Sequence, residues 1–362
     1  MRVVVTGAEG FLGWHTRVRL RALTDHEVIP VGVANWHMLP DLVGSADAVL
    51  HFAGVNRGPD VEVEEGNARL ARDLADAVKR APEAPVLVYA NTIQAGNGTP
   101  YGTGKALAAA ILREAASAKA SPFADVVLPN LFGEHGRPQY NSFVATFAHK
   151  VVTGAHPEVQ DRDVSLLHVQ DAARALIDEL EGVAHREVHP EATPSSVTTV
   201  LEILTSQFEV YQRGEIPALP SALHVNLFNT LRASMFPAHY PMPLVRHTDP
   251  RGSLVETVRA HGSEGQTFVS TTVPGITRGQ HFHLRKAERF VVVGGQARIS
   301  LRKVLTDEVL TFDVEGSSPA LIDMPTLWAH KITNTGHGEL TTMFWTNELF
   351  NPQDTDTYPE DV

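Results

Sequence analysis

The pattern of the chain changes once, near residue 245, and that change limits its fold more than any other feature. Before it, β-branched runs alternate with helical patterns. Arg2–Thr6 is an apolar run ending at glycines, and Leu12–Leu23 follows with helical spacing. His26–Val33 and Ala46–Phe52 read as strands, Asn67–Lys79 as an amphipathic Ala-rich helix and Val86–Asn91 as a buried strand. Gly102–Ala118 reads as a long helix and Ala124–Pro129 as a further strand. Such alternation predicts an α/β, doubly wound parallel sheet covered on both faces. Residues 194–243 carry helical segments broken by Pro217, Pro220, Pro237, Pro241 and Pro243. Beyond them the helical pattern fades into short strands, Gln266–Val273, Glu288–Val293, Ala297–Arg302, Glu308–Asp313 and Glu339–Phe344, separated by Gly- and Asp-containing turns. Close, regular spacing of this kind predicts an antiparallel barrel or jelly roll. The expected organisation is therefore two domains, 1–243 and 244–362, which suits a length of 362 residues. The polar tail from Asn351 reads as an arm or loop.

Composition narrows the chemistry. The sequence has no Cys, which excludes disulfides, thiolate metal sites and cysteine nucleophiles. A net charge of −12 disfavours nucleic-acid binding, because phosphate contacts need clustered cations. No apolar run reaches the ~18 residues of a membrane span, and the N-terminus enters a strand directly. A soluble, cytoplasmic chain without a membrane partner is expected. The 18 His are the one oddity.

Thr6-Gly7-Ala8-Glu9-Gly10-Phe11-Leu12-Gly13 lies between the first strand and the first helix. Gly7 permits a tight turn, Gly10 removes a side chain where a pyrophosphate approaches the backbone, and Gly13 lets helix and sheet pack closely. Gly7, Gly10, Phe11, Leu12 and Gly13 are thus candidate dinucleotide contacts, with phosphates on the free N–H groups of the helix start. Val31-Gly32-Val33 ends the second strand without an acidic residue or an Arg, which leaves NAD against NADP open.

The spacing G-x-x-G-x-x-G resembles that of extended short-chain dehydrogenases/reductases, and other segments agree. His51-Phe52-Ala53-Gly54 falls at that family's H-x-A-G strand end, Asn67 at its helix Asn, and Tyr101-Gly-Thr-Gly-Lys105 on its Y-x-x-x-K. Thr92 stands where the family places a catalytic Ser or Thr. The resemblance implies Ala53, Gly54, Asn67 and Lys105 as cofactor contacts, and Thr92, Tyr101 and Lys105 as catalytic residues. A carbonyl that accepts hydride must also gain a proton. Tyrosine donates poorly near neutral pH unless a nearby Lys stabilises the phenolate, and a hydroxyl can orient the carbonyl oxygen.

A second signal is Gly275-x5-His281-Phe-His283-x4-Glu288-x6-Gly295, followed by Pro325-x4-His330-x3-Asn334. His281 and His283 alternate by two, so they share a strand face, and Glu288 and His330 are expected on neighbouring strands. Three imidazoles and a carboxylate suit zinc, iron, manganese or nickel with one position open. The segment resembles a cupin, although cupins usually carry Gly where Leu327 stands. Lys286 lies beside the cage.

An extended reductase followed by a cupin resembles the bifunctional capsular polysaccharide biosynthesis proteins of the CapF type. Leu50–Arg57, Leu128–Gly133, Tyr140–Ser142, Arg251–Glu256, Pro274–Thr277 and Asp354–Tyr358 carry that likeness toward the end of the chain. The family implies two steps on a UDP-linked 4-keto-6-deoxy-N-acetylhexosamine. The cupin would epimerise carbon 3 with a divalent metal such as zinc, and the reductase would reduce the carbon-4 ketone with NADPH, NADH being the alternative. Asn130, Arg137, Asn141 and Arg162 are candidate contacts to the nucleotide sugar. Barrels of this type pair through edge strands, so a homodimer is expected. Two other readings compete: a reductase for another nucleotide sugar or natural-product ketone, and a cofactor-binding regulator.

Overall fold

A computed structural model describes residues 1–262 and 264–362. The chain separates into two compact units, 1–132 with 164–194, and 133–163 with 195–362. Both expected architectures are present.

In the first unit, six parallel strands lie in the order Glu27–Val31, Arg2–Thr6, Ala48–His51, Val86–Thr92, Phe123–Leu128, Arg186–Val188. Strands buried on both faces need apolar residues at successive positions. Val4, Val49, Leu87 and Tyr89 enter one core beneath the helices Asp60–Arg80 and Pro100–Lys119. Val3, Val5, Ala48, Leu50 and Val88 enter the core on the opposite face. The strand order reverses direction at Arg2–Thr6, so a crevice opens at the carboxyl ends of Arg2–Thr6 and Ala48–His51.

In the second unit, two five-stranded antiparallel sheets face each other. One runs Met242–Pro243, Ala320–Met324, Glu288–Gly294, Leu340–Thr346, Gln266–Thr272; the other runs Val309–Glu315, Gln296–Lys303, Trp328–Asn334, Thr277–Phe282, Tyr358–Pro359. Their inward residues, among them Phe290, Val292, Ile299, Leu301, Ile322, Trp328 and Ile332, form one core. The fold is a cupin-like β-structure.

The segments 133–163 and 195–243 belong to this second unit, and the helices Val197–Tyr211 and Ala222–Met235 are anchored there by buried charge. Arg289, fully buried, holds Asp323 through two bonds of 2.7 and 2.9 Å and donates to the Gly214 carbonyl at 2.6 Å. Tyr211 donates to the same Asp323, and Arg232 donates to the Met324 carbonyl at 2.6 Å. Removing one member would leave the other charge buried without its partner, which costs about 3–5 kcal/mol. The compact units therefore do not follow a single cut after Pro243.

The tail is not a free arm. Tyr358–Pro359 pairs with Thr277–Phe282, Glu360 ion-pairs with Arg302, and Lys331 donates to the Val362 carbonyl at 2.8 Å. Backbone pairing and two charged contacts outweigh the polar composition that suggested a loose segment.

Candidate active site and metal centre

The first site grows from the turn after Arg2–Thr6. Gly7 has φ +64°, and a Cβ there would lie 2.7 Å from the Ala53 nitrogen. Only glycine lets this turn press against the 53–54 loop. A Cβ on Gly13 would lie 2.2 Å from the Gly7 carbonyl oxygen, so the helix Phe11–Leu23 can start directly over the turn. Its N-cap, Gly10, offers no side-chain acceptor, so the first N–H groups remain available to a ligand. Phe11 packs edge-on against His15, and Leu12 packs on the core below. This cradle fits a dinucleotide.

Thr6 fastens the crevice floor. Its Oγ1 accepts the N–H groups of Phe52 and Ala53 at 3.2 and 3.3 Å and lies 2.8 Å from His51 Nδ1. Asn67 is buried, accepts the Val55 N–H at 3.2 Å, and donates to the Val55 and Val63 carbonyls at 2.6 Å each. Its amide braces the loop beside Gly54 from below.

Thr92 ends its strand, nearly buried, and its Oγ1 accepts the Gln94 N–H at 3.3 Å, which leaves its own proton to donate. Tyr101 and Lys105 lie one turn apart on Pro100–Lys119, whose start Thr99 caps by accepting the Gly102 N–H at 3.1 Å. Lys105 is buried. Its Nζ donates to the Ala90 carbonyl at 2.5 Å and sits 4.1 Å from the centre of the Tyr89 ring. Burial pulls Lys105 down to about 7, against the attraction of Asp125, while burial raises Tyr101. A phenol held protonated beside a cation that can switch charge is suited to proton donation. Tyr89 and Asp125 are missed by motif reasoning, because no short pattern links them to the Tyr–Lys pair.

The candidate nucleotide-sugar residues are divided between the units. Asn130 donates to the Ser165 carbonyl at 3.2 Å in the first. In the second, the Arg137 guanidinium lies 5.2 Å from the Tyr140 ring centre, Asn141 is exposed in the following loop, and Arg162 is exposed, its carbonyl accepting the Val197 N–H at 3.1 Å.

The second site lies between the two sheets of the barrel. His281 and His330 face each other across paired strands, His283 follows the strand end, and Glu288 opens a strand of the opposite sheet. Glu288 is thus not on a neighbouring strand as the spacing suggested, because the chain crosses between sheets at 283–287. One ligand atom from each of the four residues lies within 4.8 Å of the others. Glu288 Oε2 is 3.1 Å from both His283 Nε2 and His330 Nε2. His283 Nδ1 donates to the Asp356 carbonyl at 2.5 Å and His330 Nδ1 to the Trp328 carbonyl at 3.2 Å, which turns both Nε2 atoms inward. Burial, then the neighbouring His330 and His283, holds His281 at about 3, in the neutral form that binds metals. The donor chemistry and convergence fit a divalent cation.

Leu327 adopts φ +67° in the turn where glycine was expected, and it is fully buried with its N–H donating to the His283 carbonyl at 2.8 Å. Side-chain burial offsets the left-handed backbone. The tail supplies a residue that the spacing never pointed to. The buried Asp356 carboxylate accepts the N–H groups of Leu284, Arg285 and Lys286 at 3.1, 3.0 and 2.7 Å. Lys286 Nζ is held by the Thr355 carbonyl at 3.0 Å and Thr357 Oγ1 at 3.2 Å. A cavity bordered by Gln266, Phe268, Lys286, Thr346 and Phe350 reaches the candidate ligand Glu288.

Comparison with known proteins agrees with both halves. The NAD dependent epimerase/dehydratase family matches residues 3–188, and the polysaccharide biosynthesis C-terminal domain matches 247–358. UDP-2-acetamido-2,6-beta-L-arabino-hexul-4-ose reductase of Pseudomonas aeruginosa is 32% identical over 372 residues, covering 99% of this chain and 98% of its own. The crystal structure of the capsular polysaccharide assembling protein CapF of Staphylococcus aureus superposes with a TM-score of 0.65 at 31% identity, covering 100% of both chains. The spore coat polysaccharide biosynthesis protein SpsL of Bacillus subtilis is 26% identical over 122 residues, 31% of this chain and 81% of its own. With a glycine cradle and Tyr–Lys pair in one unit, a histidine cage in the other, and likeness over the full length, the chain belongs to the NAD dependent epimerase/dehydratase family, among its CapF-type members with a C-terminal polysaccharide biosynthesis domain.

Proposed function

We propose that the chain is a bifunctional nucleotide-sugar enzyme. The half formed by residues 244–362 inverts carbon 3 of a UDP-4-keto-6-deoxy-N-acetylhexosamine, and the half formed by 1–243 reduces the carbon-4 ketone. The observation that carries this reading is the coexistence in one chain of a glycine cradle with a Tyr–Lys pair and of a converging cluster of three histidines and a glutamate. The relatives support the substrate class: one is named for reducing a UDP-linked 4-keto sugar, another for capsular polysaccharide assembly.

In the reductase half, the Thr92 hydroxyl donates to the ketone oxygen and Tyr101 delivers the proton that the new alkoxide needs. Lys105 stabilises the phenolate left behind. A reduced nicotinamide dinucleotide, NADPH or NADH, would supply the hydride when bound. Asn130, Arg137, Asn141 and Arg162 are proposed to hold the nucleotide sugar, the guanidinium groups being suited to a diphosphate. In the cupin half, a divalent metal such as zinc, held by His281, His283, Glu288 and His330, supplies Lewis acidity toward a carbonyl oxygen. The Glu288-bordered cavity positions the sugar, with Phe268 and Phe350 offering apolar faces to a pyranose ring. A cytoplasmic homodimer is the proposed setting.

The test is incubation of purified protein with the UDP-4-keto-6-deoxy-N-acetylhexosamine in deuterium oxide, followed by mass detection. Deuterium gain without dinucleotide, then a reduced product with it, is the expected outcome. Reduction without exchange would remove the epimerase role, and neither signal would overturn the substrate class.

A further inference from the structure

We propose that Glu9 selects the unphosphorylated adenosine ribose, so that this chain takes NADH in preference to NADPH. The inference rests on the reductase reading above. In sheets of this kind the adenosine ribose lies at the carboxyl end of the second strand, where an acidic side chain holds its hydroxyls or a cation accepts a 2′-phosphate. Here that strand, Glu27–Val31, ends in Gly32-Val33, and none of the residues 32–38 is Lys or Arg. The backbone after it is closed by Asn35, whose Oδ1 accepts the Gly32 N–H at 2.8 Å and whose Nδ2 donates to the Pro30 carbonyl at 3.0 Å.

The acidic group arrives from the glycine loop instead. A Cβ at position 32 would lie 3.4 Å from both Glu9 carboxylate oxygens and 3.3 Å from the carbon between them. Gly32 is not in the left-handed region, so its bare backbone leaves room beside the Glu9 carboxylate and is not a demand of the local conformation. Glu9 is exposed at the crevice and free to accept from a ribose diol. The nearest cation with a described link to it, Arg17, is half-buried and donates Nη1 to the Ala8 carbonyl at 3.2 Å. Its charge is attracted by Glu9, and its Nη1 is engaged by the Ala8 carbonyl. A 2′-phosphate would bring about two negative charges against the carboxylate, and like charges in contact discriminate strongly.

The test is equilibrium titration of the full chain with each reduced dinucleotide, read by nicotinamide fluorescence and needing no sugar or turnover. NADH should bind at least about tenfold more tightly than NADPH. Glu9→Gln should tighten NADPH binding and shrink that ratio, Glu9→Arg should reverse it, and added salt should weaken the discrimination in the parent chain. Equal affinities, or a ratio unchanged in Glu9→Gln, would overturn the role of Glu9 while leaving the reductase reading intact. Binding of neither dinucleotide by the folded protein would overturn both.

Discussion

Lys105 and Asp356 show how single residues acquire function from what surrounds them. Lys105 sits among apolar neighbours, and desolvation brings its pKa from 10.5 to about 7 despite Asp125. The folded value lies below the unfolded one, so between about 7 and 10.5 the unfolded chain keeps a proton that the folded chain has released. The penalty of burying the charge is complete below 7 and is relieved as pH rises across that window. Lys105→Met should therefore lead the parent in melting temperature by more at pH 6 than at pH 10, as thermal unfolding at both would show. Catalysis has the opposite dependence. Tyr101 stays protonated well above neutrality, but its support is lost as Lys105 discharges, so kcat/KM for ketone reduction should fall as pH rises through about 7. An increase through that range would contradict the role given to Lys105. Asp356 works at the other centre by ordering the 284–286 turn, and its own carbonyl fixes His283. Asp356→Ala should weaken metal affinity by about 10–100-fold, and Asp356→Asn by less, in competition with a chelator. The convergence of the four candidate ligands was legible because they are chemically distinctive and regularly spaced. Asp356 was not, because its partners lie some seventy residues away in sequence and meet it only across a folded turn.

At the scale of elements, buried strands and their glycines were the legible part. Arg2–Thr6, Val86–Thr92, Phe123–Leu128 and Glu288–Gly294 are runs of β-branched and apolar residues, and each forms close to its expected bounds. Thr277–Phe282 and Trp328–Asn334, which carry His281 and His330, were expected from the histidine spacing alone and without bounds. The first contains Gly279 at φ +101° and a register shift before His281, which breaks the two-residue alternation that marks a strand. That glycine is required: a Cβ there would lie 2.6 Å from the His330 carbonyl oxygen. The helix Asp60–Arg80 begins well before Asn67, since its acidic first turn looks like loop but complements the positive end of the helix. It also fixes the catalytic helix. A Cβ on Gly104 would lie 2.8 Å from the Glu64 carbonyl oxygen and 3.0 Å from its Cα, so Pro100–Lys119 packs there backbone to backbone. Gly104→Val should cost about 1–3 kcal/mol by overpacking. Because the displaced helix carries Tyr101 and Lys105, it should also lower kcat for reduction, whereas carbon-3 exchange should be unchanged. Loss of both activities together would argue that the substitution unfolds the chain instead of shifting one helix.

The dinucleotide cradle and the histidine cage belong to different compact units, and the independence of the two centres can be tested directly. Every residue of the candidate dinucleotide cradle and the Tyr–Lys pair belongs to the first unit, while all four candidate metal ligands and Asp356 belong to the second. Sequence order hides the way the second unit is assembled. Its helices are recruited by contacts such as Asn229 to the Arg285 carbonyl, Tyr211 to Asp323 and Arg232 to the Met324 carbonyl, and its 133–163 segment by Thr326 to Glu134, none of which leaves a local pattern. A linear reading could therefore recognise both folds yet place one cut where the compact units interleave. Metal removal should exploit the separation. Stripping the protein with a chelator leaves three imidazoles and a carboxylate crowded in a buried cage, so the second unit should lose stability by an amount that grows with metal affinity. Dinucleotide binding, which depends on Gly7, Gly10, Gly13 and the helix start, should be unchanged. Calorimetry of stripped and metal-replete protein should show one transition moving and the other fixed, with nicotinamide titrations superimposing. A dinucleotide affinity that collapses with the metal would mean that the two centres are energetically one, and the assignment of separate roles to them would fail.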